Sequence, residues 1–407
     1  ASPLYPPNRN DAAAVVGAAG AGIGAQVITI GDSITGEGGG PGTSKGERWS
    51  NYSYFTHLNA RLKGALNLVA NLGVSGQTTA TLRTRLSEIL SYDAGIVLWI
   101  MSGNGTVGGA ATANLIDDTQ TILDALTGAG KLVIVGLIPP RATSGTGSFS
   151  TTAMLEQVQT INRFAINYAA GNQRVFVADT YSPAVSLASA DPRTGVCRDT
   201  PAIHPGPWGA QLYGDAFYQA LSGNVGNAPP LSYVGAPYNL IATNLASWTG
   251  SDVSGTVTTT DSTTATGSDG LSDWLQINAT AFSAIGAVRQ YAHPVINSGF
   301  SVGDIIQAAV EVEIDSAVDV RAINFQVRLT GSGLNLETMS EFNAAQGMTV
   351  YSSGPLTRLV YVTPAFAVPA GTTSITPCLR VVAQTTSATA KVRFRRPTII
   401  NRTLAGY

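Results

Sequence analysis

The chain has 407 residues, more than one ordinary domain needs, so two or three units with a core each are expected. A formal net charge of −2 excludes the basic footprint of a protein that binds nucleic acid or an anionic membrane surface. Only 12% of the residues are charged, and no apolar run reaches the roughly 18 residues that span a bilayer, so membrane insertion is not expected.

The low charge and the abundance of Gly, Ala, Ser and Thr suit an extracellular protein, whether secreted, held at a cell surface or carried on a virion. The stretch Asp11–Gly24 lacks a basic leader and a leucine-rich centre, and residues 1–25 read as an N-terminal extension rather than a retained signal peptide. The two cysteines, Cys197 and Cys378, stand far apart and are expected to be unpaired thiols.

From Gln26 to Leu221 short apolar runs alternate with helical periodicity. The runs Gln26–Ile30, Asn67–Leu72, Gly95–Met101, Lys131–Leu137 and Arg174–Ala178 are nearly continuous and bounded by Gly, Asn or Pro, as strands buried on both faces should be. A first helix is expected over Ser50–Leu62. Leu115, Thr119, Ile122, Leu123 and Leu126 share a helical face before the fourth run. In Thr151–Ala170, Leu155, Val158, Ile161, Phe164, Ala165 and Tyr168 do the same. Strand, helix and strand in succession imply a doubly wound α/β parallel sheet of five strands, whose ligands bind beyond the carboxyl ends of the strands.

Residues 222–237 are rich in Gly, Pro and Asn and read as a linker. Beyond them the period becomes two. Ile306, Ala308, Val310, Val312 and Ile314 alternate with Gln307, Glu311 and Glu313; Ile323, Phe325, Val327 and Leu329 alternate with Asn324, Gln326 and Arg328. Arg358–Val362, Cys378–Val382 and Lys391–Arg395 behave similarly, and Ser251–Gly270 is loop or edge strand. Half-buried antiparallel strands of this kind make residues 238–407 a β-sandwich.

The first strand ends in Gly31-Asp32-Ser33-Ile34-Thr35, which places a serine at the ligand-binding edge of the sheet. After the second comes Asn71-Leu72-Gly73-Val74-Ser75-Gly76, and after the third Ser102-Gly103-Asn104-Gly105. Near the end of the α/β region stand Ile203-His204-Pro205 and then Gly209-Ala210-Gln211. In type, order and placement these blocks resemble those of the SGNH (GDSL-type) hydrolases, over about half the chain.

The resemblance implies a flavodoxin-like sheet and serine-esterase chemistry. Ser33 would be the nucleophile and His204 its base. The Ser33 N–H, the Gly73 N–H and the Asn104 amide would be donors to the negative oxygen of a tetrahedral intermediate. Of the other histidines, His57 lies in the first helix and His293 in the β region.

Two features depart from the family's pattern. Where an aspartate usually stands three residues before the histidine, this chain has Pro201. Asp199 is then the expected partner of the His204 ring, with Asp191 and the Pro201 carbonyl as alternatives. The asparagine block also lacks the family's preceding glycine and following aspartate.

Asp32 is expected to orient the turn, and Asp179 to be structural. Lys45, Glu47, Arg48 and Trp49 are candidates to line a cleft. No His/Cys cluster has metal-ligand spacing, and Gly38-Gly39-Gly40 lacks the end of a phosphate loop, so neither metal nor cofactor is expected.

The tail is similar to jelly-roll-like modules that commonly bind sugars, and Trp248, Trp274 and Tyr291 are candidates either for stacking on sugar rings or for the core. The leading expectation is an esterase removing O-acyl, chiefly O-acetyl, groups from an acylated carbohydrate or polysaccharide. The competing ones are a non-catalytic adhesive or tail-spike protein and an esterase of lipid or simple alkyl esters.

Overall fold

The computed structural model describes residues 25–38, 52–62, 64–222, 238–241, 244–268, 270–341, 358–363 and 365–405, the side chains of 334–341 and of Arg358 excepted. The N-terminal extension up to residue 24, the linker from residue 223, Gly39, Gly40 and the four cleft candidates Lys45, Glu47, Arg48 and Trp49 lie outside the described residues. The chain divides into two compact units.

The first unit contains strands β1 (Ala25–Ile30), β2 (Leu66–Asn71), β3 (Ile96–Ile100), β4 (Leu132–Gly136) and β5 (Val175–Ala178). All neighbours pair in parallel, in the order β2-β1-β3-β4-β5. This is the flavodoxin-like doubly wound order, in which the direction of winding reverses beside β1. Every residue of β3 and β4 is buried, as continuous Val/Ile/Leu runs covered on both faces must be.

The helices are α1 (Ser33–Gly36), α2 (Tyr54–Arg61), α3 (Thr79–Thr84), α4 (Leu86–Leu90), α5 (Asn104–Val107), α6 (Thr112–Gly128), α7 (Thr152–Gly171) and α8 (Pro207–Leu221). The apolar stripe read in α6 is its buried face: Leu115, Thr119, Ile122, Leu123 and Leu126. In α7 the fully buried members are Val158, Ile161, Asn162 and Ala165. Asn162 is the polar exception, and its amide bonds both the N–H and the carbonyl of Ile138, satisfying the backbone just beyond β4. α2 starts four residues later than the period suggests, at Tyr54.

The second unit is antiparallel and consists of two sheets. One runs β13 (Leu334–Glu341), β12 (Val320–Thr330), β16 (Ser374–Ala383), β10 (Val288–Ala292), β6 (Thr249–Val253). The other runs β14 (Arg358–Val362), β11 (Ile305–Val318), β17 (Thr389–Asn401), β9 (Trp274–Phe282), β7 (Val257–Thr259), with β15 (Phe366–Ala367) on β11 and β8 (Ser262–Ala265) on β9. Helix α9 (Arg402–Ala405) follows β17. The segment read as loop or edge strand supplies β6, β7 and β8, short strands at sheet margins. Ile306, Val310, Val312, Phe325, Val327 and Phe394 are buried, as the period-two pattern requires.

The opposite face of β11 departs from expectation. Glu311 and Glu313 are buried rather than solvated. They stand opposite Arg395 and Arg393 of β17, and Arg395 Nη2 meets Glu311 at 2.7 Å while Arg393 bridges Asp315 at 2.7 Å. Glu313 also accepts the Ser268 hydroxyl at 2.5 Å and its N–H at 3.0 Å. Carboxylates can be buried here because each has cationic and hydrogen-bonding partners. Trp248, Trp274 and Tyr291 belong to the core, with exposures of 4%, 0% and 7%.

Candidate active site

The carboxyl ends of β1, β2 and β3 lead into the three blocks singled out in the sequence. Gly31 is left-handed (φ +144°), and its Cα faces the Ile100 carbonyl so closely that a Cβ would lie 3.0 Å from it. The backbone turns there directly into α1. Asp32 caps α1, its Oδ1 accepting the Ile34 N–H at 3.0 Å, and Ser33 is the first helical residue. The Ser33 N–H has no hydrogen-bond partner among the described residues.

Ser33 Oγ lies 2.8 Å from His204 Nε2. On the other side of the ring, Nδ1 meets Asp199 Oδ2 at 2.5 Å. Asp199 Oδ1 accepts the Ile203 and His204 N–H groups, each at 2.9 Å. The five-residue spacing is thus closed by a turn in which the carboxylate binds the backbone and ring of the histidine it faces. Partial burial works to raise the Asp199 carboxyl, but the Ile203 N–H, the His204 ring and the His204 N–H together hold it below the ordinary carboxylate value. Asp191 is turned elsewhere, accepting the Thr143 N–H at 2.7 Å and its hydroxyl at 2.8 Å, so it ties one loop to another. The line hydroxyl, imidazole, carboxylate is the geometry that activates a serine oxygen.

The loop after β2 approaches α1 without side chains between them. A Cβ on Gly73 would lie 2.3 Å from Gly36 N, and one on Gly36 would lie 2.7 Å from Gly73 O. The Gly73 N–H is already committed to Asn71 Oδ1 at 3.1 Å, and Asn71 Nδ2 donates to Thr35 O at 2.9 Å. Gly76, three residues on, is left-handed (φ +75°), and its N–H has no partner among the described residues. Among the described residues the Ser75 and Gly76 N–H groups of this loop have no partner, while that of Gly73 is engaged by Asn71 and its missing side chain allows the close packing on Gly36.

The third block is a buried polar cluster. Ser102 Oγ donates to Asp32 Oδ2 at 2.9 Å or to Gln77 O at 2.8 Å, and itself accepts the Asn104 N–H at 3.1 Å. Asn104 Nδ2 donates to Gln77 O at 3.0 Å and lies 3.3 Å from Asp32 Oδ2. Ser102, which replaces the family's glycine, thus knits Asn104 to the base of the nucleophile turn. Arg141, from the loop after β4, joins the same cluster: Nη1 donates to Asn104 Oδ1 at 2.9 Å and Nη2 reaches Asp32 Oδ2 at 3.4 Å. Desolvation raises the Asp32 carboxyl against the pull of Arg141, and lowers Arg141 against the pull of Asp32.

Arg141 and Gln77 carry no motif signal; only the three-dimensional arrangement brings them to Asn104. His57 is buried in α2, and His293 is buried in the second unit with its Nδ1 2.5 Å from Pro294 O. Asp179 caps the turn after β5 through the Tyr181 and Ser182 N–H groups. Cys197 and Cys378 are free thiols, and burial pushes the Cys197 thiol up to about 12. Among the described residues no group of His, Cys, Asp and Glu could hold a metal ion, and no helix is long and apolar enough to cross a membrane.

Residues 29–212 match the model of the GDSL-like Lipase/Acylhydrolase family. Among solved structures the chain is similar to a protein described as a lipolytic protein of the G-D-S-L family from Desulfitobacterium hafniense, at 19% identity, covering 48% of this chain and 99% of that one with a TM-score of 0.37. A protein described as an acylhydrolase from Bacteroides fragilis matches at 17% identity over 48% and 86% of the two chains, with a TM-score of 0.39. A mutant of an acetylxylan esterase from Geobacillus stearothermophilus matches at 17% over 49% and 94%, with a TM-score of 0.36. No curated protein matches.

Proposed function

We propose that this protein is an extracellular serine esterase that removes O-acyl groups, chiefly O-acetyl, from a carbohydrate or polysaccharide. The observation that carries the esterase reading is the Ser33–His204–Asp199 line at the end of β1. His204 Nε2 takes the Ser33 proton as Oγ attacks the ester carbonyl, and Asp199 holds the ring with Nδ1 protonated. The developing oxyanion is received by the Ser33 N–H and the Gly76 N–H, and by the Asn104 amide once it gives up its 3.3 Å contact with Asp32 Oδ2. His204 then protonates the leaving alkoxide, and a water it deprotonates releases the acyl group from Ser33.

The carbohydrate half of the reading rests on architecture, an acylhydrolase unit followed by an antiparallel sandwich, and is an association rather than a derivation from site residues. The test is hydrolysis of p-nitrophenyl acetate beside longer-chain esters and acetylated polysaccharides. Turnover that falls with acyl length and acetate release from the polymer support the proposal. A preference for long acyl chains with no release from polymer favours the lipid-ester reading, and no turnover at all favours a non-catalytic binding protein. We place the boundary between the units within residues 222–237. A chain ending at Leu221 then turns over small esters, because every proposed catalytic residue precedes it.

A further inference from the structure

We propose that Arg141 is the positioning residue of the oxyanion site, fixing the Asn104 amide and neutralising the carboxylate beneath it. The inference rests on the acyl-transfer reading of Ser33 and deepens it by naming a group that touches no substrate atom.

The geometry leaves Asn104 one orientation. Arg141 Nη1 donates to its Oδ1 at 2.9 Å, and on the other side Gln77 O and Asp32 Oδ2, both acceptors, lie 3.0 and 3.3 Å from Nδ2. A flipped amide would point its oxygen at two acceptors and its NH₂ at a guanidinium, so the flip is forbidden on electrostatic grounds. The arginine is in turn held by the Phe149 ring, 5.5 Å from its Cζ. Gly103 lets the loop come close to both groups, since a Cβ there would lie 2.7 Å from Phe149 Cζ and 3.1 Å from Arg141 Nε and would have to shift the ring. The loop that presents Asn104 is thus built around the guanidinium.

Stability does not explain the pair. Asp32 and Arg141 have side-chain exposures of 1% and 3%, and burial works against the charged form of both. Buried ion pairs of this kind can often be replaced by apolar groups at no loss of stability. Catalysis does explain it. Asp32 precedes Ser33 in the chain, so an unneutralised carboxylate would stand close to where a substrate oxygen becomes negative, and would compete with that oxygen for the Asn104 N–H. A guanidinium on Asp32 Oδ2 and Asn104 Oδ1 lessens both difficulties, offsetting the carboxylate's charge while its contact with Asn104 Nδ2 stays long, at 3.3 Å. A lysine offers one point of charge and cannot reproduce the two-armed contact.

The experiment is a double-mutant cycle on the full chain with p-nitrophenyl acetate, comparing Arg141→Lys, Asn104→Ala and the two together, with thermal melting of each. Arg141→Lys is expected to lower kcat by about 10²-fold, the scale of one lost oxyanion donor, with KM within about twofold. In the Asn104→Ala background the same change costs less than about threefold, because Arg141 acts through the amide that is gone. An equal loss in both backgrounds, or a kcat for Arg141→Lys within about threefold of wild type, overturns the proposal. Should the lysine variant fail to fold, Arg141→Gln, which keeps N–H donors without the charge, takes its place: a fall in kcat at constant KM supports the proposal, and an unchanged kcat overturns it. A wild type without turnover, or an Asn104→Ala variant as fast as wild type, removes the acyl-transfer reading and this inference with it; a slow Asn104→Ala beside fast Arg141 variants removes this inference alone.

Discussion

In the α/β unit the buried ions Asp32 and Arg141 converge with Ser102 and Asn104 on one end of the sheet, whereas in the antiparallel unit Glu311, Glu313, Arg393 and Arg395 run as a ladder along β11 and β17. The first arrangement stands beside backbone N–H groups that have no partner among the described residues, those of Ser33 and Gly76. In the second, carboxylates meet cations rung by rung, and the Arg395 guanidinium also covers the Trp274 ring at 4.4 Å. Buried charge beside unused donors marks a place prepared for an incoming group, and buried charge answered across strands holds strands in register.

The sharpest way to break this contrast is at Ser33. Ser33→Ala is expected to lower ester turnover by about 10⁶-fold with the melting temperature retained, and a serine-directed fluorophosphonate should label the wild type there. Labelling at another serine would move the site. Asp199→Asn should cost about 10⁴-fold in kcat/KM by favouring the wrong tautomer of His204. Asp191→Asn, which disturbs only the Thr143 contacts, should change turnover little. Equal effects of these two aspartates would mean that the turn from Asp199 to His204 does not orient the ring.

In the ladder the effect should fall on stability. Arg395→Met leaves the buried Glu311 carboxylate with only the partly exposed Arg396, at 3.4 Å, and is expected to destabilise the antiparallel unit by about 2–4 kcal/mol in chemical denaturation, with turnover per folded molecule unchanged. A loss below about 1 kcal/mol would class the ladder with surface ion pairs.

The smallest effect concerns pH. Burial depresses His293 below its ordinary 6.5, so above that value the ring is neutral in both the folded and the unfolded chain and contributes nothing to pH dependence. As the pH falls below 6.5 the unfolded chain takes up a proton that the folded unit resists, and stability is lost. Melting of wild type and His293→Gln from pH 8 to pH 5, about the range over which histidine titrates, should show a steeper acid decline in the wild type. Parallel curves would assign the decline to other groups.

The parts legible in the sequence are those encoded locally. Continuous apolar runs marked β1 to β5, and the serine and histidine stood in blocks whose order could be read along the chain. Asp199 was legible as the nearest carboxylate, though only the folded turn distinguishes it from Asp191. Gly73 and Gly76 share one loop, and the choice between them depends on which N–H the Asn71 side chain occupies, a contact with no sequence signature. Arg141 lies 109 residues from Asp32, beyond the reach of any pattern. The burial of Glu313 was hidden for a similar reason. A period of two reports which face a residue is on, and what covers that face comes from Ser268, 45 residues away.

Cys197, two residues before Asp199, places a sulfur on the same loop as the proposed machinery, and burial pushes that thiol up to about 12. Across ordinary working pH it is therefore a protonated, poorly nucleophilic atom. Soft electrophiles such as maleimides and iodoacetamides should pass the folded protein by, while hard phosphorus and boron electrophiles are left with the serine oxygen. A covalent inhibitor for this site would accordingly be sought among oxygen-seeking reagents, and thiol chemistry stays free for attaching reporters through cysteines introduced elsewhere.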